Sequence, residues 1–365
     1  MTTTQTENRT YRASLEFFLG PLIPLLDDES VSEIMVNGPK AIFVERGGRV
    51  EQTNVTFRDE DELRAAANNI AQFVGKSIDD ESPILDGRLE DGSRVAIVLH
   101  PLSAHGTSIN IRRFSQKAQT PDFLLEVGSM TAEAIEFVSL AVASHQNVVV
   151  SGGTGSGKTT LLNILSTVFD DSERILIIED TRELQVNKPH VVQMEARPSD
   201  AYGRGEITVR DLFVTSLRMR PDRIIVGEVR RGEALDMVQA MTSGHRGSLA
   251  TLHADTPSQA CGRLETMCLL ADIGLPLVAL RRQIAGALDI VVQATRLSSG
   301  RRLVTHISEI DLDSATNDYI VNDIFALDTT SEPTLVWTGR RPKLADDLGW
   351  MGLSDRVNLT REILR

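Results

Sequence analysis

Ten residues concentrate the chemistry of this chain: Ser151-Gly-Gly-Thr-Gly-Ser-Gly-Lys-Thr-Thr160. Within them Gly152, Gly157, Lys158 and Thr159 satisfy the spacing G-x-x-x-x-G-K-[ST]. Glycines let a backbone bend until successive N–H groups converge on phosphate oxygens. A helix opening after Gly157 would aim its positive end at the same anion. Lys158 adds a point charge for β and γ phosphates, and the Thr159 hydroxyl suits Mg2+. The residues expected to cradle a polyphosphate are Gly152, Gly153, Thr154, Gly155, Ser156, Gly157, Lys158, Thr159 and Thr160.

Hydrolysis also needs acids, for the metal and for water. Two apolar runs end in them: Ile175 to Ile178 leads into Glu179-Asp180, and Ile224 to Val226 into Gly227-Glu228. In a parallel sheet the C-terminal strand ends share the ligand edge. His245 and His253 flank a further short run, Leu249 to Leu252, and are expected on that edge as phosphate-sensing contacts. No third and fourth ligand at zinc spacing accompanies them.

These groups need elements to hold them. Residues 1–14 read as a flexible tail and 15–115 as an N-terminal α+β domain. In that domain Glu33 to Val36, Ala41 to Glu45 and Arg94 to Leu99 read as strands, with Gly47-Gly48 as a hairpin turn. Leu63, Ala66, Ala67, Ile70, Phe73 and Val74 recur at helical spacing behind acidic residues. Residues 116–130, with Pro121, read as a linker. From 131 to 330 short Val/Ile-rich runs alternate with helical patterns, which predicts an α/β domain with a largely parallel sheet. Ile290 to Ala294, Leu303 to Leu312 and Tyr319 to Leu327 read as a terminal sheet, and 331–365 as an irregular C-terminal extension.

Composition sets outer bounds. The 365 residues carry 38 Lys and Arg against 51 Asp and Glu, so the formal charge is 38 − 51 = −13. An acidic chain argues against a dedicated nucleic-acid binder. Two cysteines, Cys261 and Cys268, cannot make a four-cysteine zinc module and suit a reducing compartment. Leu15 to Leu26, the longest apolar patch, is broken by Gly20, Pro21 and Pro24, short of the roughly 18 residues a membrane span needs. A cytoplasmic location is expected.

The phosphate loop, Ile178-Glu-Asp180, Val226-Gly-Glu-Val-Arg230 and Gly244-His…Thr251-Leu-His253 together resemble the secretion ATPases of the type II/type IV superfamily. In that family they are the Walker A, Asp-box, atypical Walker B and His-box motifs. The likeness runs from about Leu22 to Trp350 and is strongest to the CpaF/TadA-type ATPases of tight-adherence (Flp) pili. Asp28 to Gly38, Asp86 to Val95, Ile111-Arg-Arg-Phe114, Gly203 to Leu212 and Leu217 to Arg230 carry it. The segment Gly203 to Leu212 separates this branch from type IV secretion traffic ATPases, which generally lack it.

The resemblance implies a RecA-like P-loop motor domain behind the smaller α+β domain, in a homohexameric ring. It implies ATP and Mg2+, and an inner-membrane platform of a pilus or secretion system as partner, with no nucleic acid. The ring would be peripheral to the membrane, on the cytoplasmic face. Glu179 is expected to orient the attacking water, and Glu228 to act on Mg2+ together with Thr159. Arg94 and Arg112 are expected to reach the γ-phosphate, with Arg113 as the rival of Arg112. Arg220 is expected near a neighbour's nucleotide, and His245 and His253 in coupling phosphate state to movement. Departures from the usual pattern are Arg230-Arg231 after the Walker B glutamate, Thr242-Ser-Gly-His245 and His253-Ala-Asp255. The competing readings are a non-hydrolysing nucleotide-binding regulatory ring, a type IV secretion traffic ATPase and a DNA-translocating motor.

Overall fold

The computed structural model describes residues 19–89, 91–113, 120–199, 203–272, 274–330, 332–349 and 351–365. The expected tail, the start of the Leu15 to Leu26 patch, Phe114, residues 116–119 and Trp350 lie outside them. The chain divides into two compact units, with the break between Lys117 and Ala118.

The first unit is built on a six-stranded antiparallel sheet. Helix α1 (Ile23–Asp27) precedes β1 (Val31–Asn37), β2 (Ile42–Arg46) and β3 (Arg49–Gln52). Helix α2 (Glu60–Phe73) follows, then β4 (Ile84–Arg88), β5 (Arg94–Val98) and β6 (Ser108–Arg112). The order across the sheet is β3-β2-β1-β6-β5-β4. Gly47 and Gly48 both take positive φ, +54° and +82°, which the two-residue turn between β2 and β3 demands. Helix α2 starts where Asp59 accepts the Glu62 amide at 2.9 Å, and Glu60, Asp61 and Glu62 favour its positive end. Its Leu63, Ala67 and Ile70 join Ile34, Val36, Val95, Ile97, Ile109 and Ile111 in one core. Strand alternation therefore sends the residues between them, Glu33, Arg94, Asn110 and Arg112, to the other face.

The second unit carries a nine-stranded sheet. Its strands are β7 (Val148–Gly152), β8 (Ile175–Glu179), β9 (Val191–Glu195), β10 (Arg223–Val226), β11 (Leu249–Leu252), β12 (Ile290–Arg296), β13 (Arg302–Leu312), β14 (Tyr319–Asp328) and β15 (Thr334–Trp337). The order is β15-β14-β13-β12-β7-β11-β10-β8-β9. The run from β12 to β9 is parallel throughout, and β13 to β15 extend it antiparallel. The helices are α3 (Pro121–Glu126), α4 (Ala132–Ala143), α5 (Lys158–Ser166), α6 (Val209–Ser216), α7 (Glu233–Thr242), α8 (Pro257–Leu269), α9 (Leu277–Ala287) and α10 (Leu344–Asp347).

Both faces of the parallel sheet are covered, which is why its strands are apolar without alternation. Val148 and Val150 meet Phe137 of α4 and Leu162 of α5 on one face. Val149 meets Met241 of α7, Leu264 of α8 and Ile284 of α9 on the other. Cys261 and Cys268 are buried thiols of α8, and burial pushes each up to about 12.

Two expectations need correction. Pro121–Glu126, inside the presumed linker, is helical, because Pro suits a first helical position and Leu124 finds the core. The presumed terminal sheet is no separate layer: β12 pairs with β7 in parallel and carries β13 and β14 with it. The C-terminal residues also pack in, with Leu335, Leu344, Leu348 and Ile363 in the core. Glu136 of α4 accepts the successive amides of Asn358, Leu359 and Thr360 at 2.8–3.0 Å and ties that end down. Among the described residues no helix is long and apolar enough to cross a membrane.

Candidate functional site

The loop after β7 has the backbone its glycines permit. Gly155 and Gly157 take φ of +68° and +97°, conformations costly for other residues. Gly152 is required for a different reason: a Cβ there would stand 2.3 Å from the Ala294 carbonyl oxygen of β12. Helix α5 opens at Lys158, so its first N–H groups have no partner within the helix and face an incoming anion. The Lys158 ammonium is buried and donates to the carbonyls of Gly152 (3.0 Å) and Gly153 (2.9 Å). Arg302 of β13 donates to the Gly155 carbonyl at 2.8 Å, and no sequence motif pointed to it.

The strand ends beside the loop bring further groups to the same edge. Lys158 Nζ lies 3.5 Å from His253 Nδ1, just past the end of β11. His253 Nε2 lies 3.0 Å from Glu228 Oε1, and Glu228 Oε2 accepts from Arg230 at 2.8 Å. Arg230 also donates to Asp180 Oδ2 at 3.1 Å. Burial, then the Lys158 charge, holds His253 below its ordinary value. A neutral imidazole fits both partners: Nδ1 accepts from the ammonium, and Nε2–H donates to the carboxylate. For Glu228 burial works upward, but the hydrogen bond and charge of Arg230, with His253 and Lys158, outweigh it and hold the carboxyl low.

Two acids at and after the end of β8, Glu179 and Glu183, separate by environment. Glu179 is only 2% exposed. Its Oε1 accepts the amides of Glu183 (2.7 Å) and Leu184 (2.9 Å), and its Oε2 accepts Gln193 Nε2 (2.9 Å). Burial raises its pKa above the ordinary value. Gly227 packs against it, since a Cβ there would lie 2.8 Å from Glu179 Cγ. Glu183, four residues on and half-buried, accepts the Thr159 hydroxyl at 3.2 Å. Sequence reasoning missed Glu183; its only signal was a carboxylate one turn beyond an acid at a strand end. Gln193 and Gln293 were missed as well. Gln293 is buried, accepts the Ser151 hydroxyl and donates to the Ala254 carbonyl at 3.0 Å, joining β7 to the turn after β11.

Two expected residues stand elsewhere. His245 precedes β11, and a parallel strand has its two ends on opposite edges. His245 is therefore at the edge away from the phosphate loop, where its carbonyl accepts Ser248 Oγ at 2.9 Å, and the expectation of both histidines at one edge is corrected. Arg220, exposed and with φ +53°, precedes β10 and occupies that far edge too. In the first unit Arg94 and Arg112 are directly opposite each other on β5 and β6. Arg113 points to the other side and donates to the carbonyls of Asp28 and Val31, which separates the two rivals.

Mg2+ normally takes one or two protein oxygens and completes its shell with water and phosphate oxygens. The Thr159 hydroxyl and the Glu183 and Glu228 carboxylates are oxygens of that kind. Among the described residues no group of three or more His, Cys, Asp or Glu could hold a metal by itself. The donors fit a metal brought by a polyphosphate.

The family model described as Type II/IV secretion system protein matches residues 18–322. A Mycobacterium tuberculosis protein named for conjugal transfer is 35% identical over 295 residues, 79% of this chain and 83% of its own. The type IV secretion system protein PtlH of Bordetella pertussis is 35% identical over 328 residues, 81% of this chain and 95% of its own. The solved Legionella pneumophila ATPase DotB aligns with a TM-score of 0.57 at 22% identity, over 82% of each chain, a likeness of fold. That likeness agrees with a RecA-like motor domain following an N-terminal α+β domain.

Proposed function

The chain belongs to the type II/IV secretion system protein family, and from that premise we propose that it is an ATP-hydrolysing motor working as a homohexameric ring. One observation carries the reading: Lys158 and Thr159 of the loop each meet an acid-bearing group, Lys158 through His253 to Glu228 and Thr159 directly to Glu183. The loop amides and Lys158 hold the β and γ phosphates. Thr159, Glu183 and Glu228 would hold the Mg2+ that accompanies the nucleotide, and its charge would offset that of the phosphates. Glu183 orients the attacking water, the role first expected of Glu179, because the Glu179 oxygens already accept three hydrogen bonds. His253 registers the position of Lys158. Arg94 and Arg112 stabilise charge on the terminal phosphate, as phosphoryl transfer requires. Arg220, on the edge away from its own loop, serves a neighbour's nucleotide.

The test is Glu228→Gln in the full chain: nucleotide still binds while turnover falls by orders of magnitude. Undiminished phosphate release defeats the assignment.

We further propose assembly and retraction of a tight-adherence pilus through an inner-membrane platform, with the ring on the cytoplasmic face. The segment Gly203 to Leu212 supports this branch. In this segment Ile207 bridges to Arg197, Arg197 donates to the Gly205 carbonyl, and Thr208 and Asp211 cap α6 reciprocally. Relatives named for conjugal transfer and type IV secretion favour a second reading, a motor for one of those processes. Deleting the gene in its source organism decides between them: loss of surface pili supports the first, and loss of secreted cargo with pili intact the second.

A further inference from the structure

Two glutamines stand near the C-terminal ends of the parallel strands in the second unit. Gln193 of β9 holds Glu179. Gln293 of β12 is 1% exposed and shares its face of the sheet with Val291, directly opposite Ser151, which shares that face with Val149. Val149, Ala250, Leu252, Ala254 and Val291 make this layer apolar. Burying an amide in such a layer costs free energy unless its polar atoms are bonded.

Both ends of the Gln293 amide are bonded. The Ser151 hydroxyl of β7 donates to Oε1, and Nε2 donates to the Ala254 carbonyl at 3.0 Å. A carbonyl can only accept, so Ala254 fixes which way the amide faces, and the hydroxyl, able to do either, donates. The strand order is β12-β7-β11, so this one side chain reaches from β12 across the end of β7 to the turn after β11.

The two groups it joins are the immediate neighbours of site residues. Ser151 precedes Gly152, whose carbonyl accepts from Lys158 Nζ at 3.0 Å. Ala254 follows His253. The 3.5 Å approach of Lys158 Nζ to His253 Nδ1 is thereby braced from behind: the ammonium is tied to the loop, and the histidine to the root of the same loop. A second tie serves the other side of the imidazole, where the Thr251 hydroxyl of β11 donates at 2.6 Å to the Gly227 carbonyl, one residue before Glu228.

We propose that Gln293 is a positioning residue of the hydrolytic site, which sets His253 against Lys158 through the Ala254 carbonyl and the Ser151 hydroxyl. The proposal rests on the nucleotide-hydrolase reading and deepens it.

The experiment measures kcat and KM for ATP with the full chain carrying Gln293→Met, His253→Asn or both. Ser308→Ala is the control, since it removes a different buried hydrogen bond of the same sheet, the one to Asp323. Methionine fills the volume of the glutamine and bonds neither partner. A displacement of about 1 Å at a site costs up to about 10²-fold in rate, so Gln293→Met should lower kcat about 10- to 100-fold. KM should stay within about twofold, because the loop amides and Lys158 still hold the phosphates. The double variant should turn over no more slowly than His253→Asn alone, because Gln293 acts through His253. Ser308→Ala should lower the melting temperature and keep kcat. Gln293→Asn, an amide too short to reach both partners, gives the same reading if the methionine chain does not fold. A parental kcat in the folded Gln293 variants, an equal fall in Ser308→Ala, or a loss that multiplies with that of His253→Asn overturns the proposal. An inactive parent overturns the hydrolase reading instead. The tie is then read from the imidazole proton resonance of His253, identified by its loss in His253→Asn. It moves further in Gln293→Met than in Ser308→Ala if Gln293 sets the ring, and no greater movement overturns the tie.

Discussion

Replacing Glu179 and Glu183 separately by glutamine should give opposite phenotypes. At Glu179 the carboxylate accepts two backbone amides on Oε1 and one Gln193 N–H on Oε2, in a site 2% exposed. A glutamine keeps its carbonyl toward the two amides and must then point an NH2 group at the Gln193 NH2. Gln193 cannot simply flip, because its Nε2 also donates to the Leu184 carbonyl and its Oε1 accepts from Arg182. One buried donor is left unmet, at a cost of about 1–3 kcal/mol. For a unit of this size that lowers the melting temperature by roughly 2–12 °C. Glu183 is half-buried and accepts the Thr159 hydroxyl at 3.2 Å, a bond that a glutamine carbonyl can still receive. Glu183→Gln should melt with the parent while kcat falls about 10²- to 10⁴-fold, the range for losing a positioned base. Paired melting curves and phosphate-release assays check this. A Glu179→Gln protein that melts like the parent but is catalytically dead, beside an active Glu183→Gln, would refute the reasoning.

Three other outcomes follow from particular contacts. Gly152→Ala forces a methyl group against the Ala294 carbonyl, whose backbone cannot rotate away; thermal melting should show a loss of about 1–3 kcal/mol, and calorimetry weaker ATP-analogue binding. The folded-state pKa of His253 lies below its ordinary 6.5, so the unfolded chain takes the proton first as pH falls. Its contribution to stability is present above pH 6.5 and is lost as acid approaches the folded value, and urea midpoints should fall less steeply from pH 7.5 to 5.5 in His253→Asn than in the parent. Arg113→Ala removes donors from the Asp28 and Val31 carbonyls and should cost about 1–2 kcal/mol in urea unfolding, whereas Arg112→Ala should leave the urea midpoint unchanged and lower turnover.

Much of the architecture was legible from local chemistry. The strands β7, β8, β10 and β11 announce themselves as short apolar runs because both sheet faces are covered, and no alternation can survive there. The phosphate loop is legible because backbone geometry restricts it to glycine at Gly155 and Gly157. Helix α2 carries its own start signal in Asp59 and the acids after it. Residue types in order along the chain suffice for such features, since the forces that decide them act within a few residues.

Tertiary structure alone decided which of several similar groups meet. Glu179 and Glu183 are both acids four residues apart; Gln193 of β9 and Gly227 after β10 close over the first, while the second meets Thr159. His245 and His253 look alike in the sequence, and strand direction sends them to opposite edges. Arg112 and Arg113 differ by one position, and the period-two pleat puts them on opposite faces. The chain's own order thus determined which chemistry is present, while its partition among neighbours was settled by non-local packing, because desolvation and hydrogen-bond partners come from segments far apart along it.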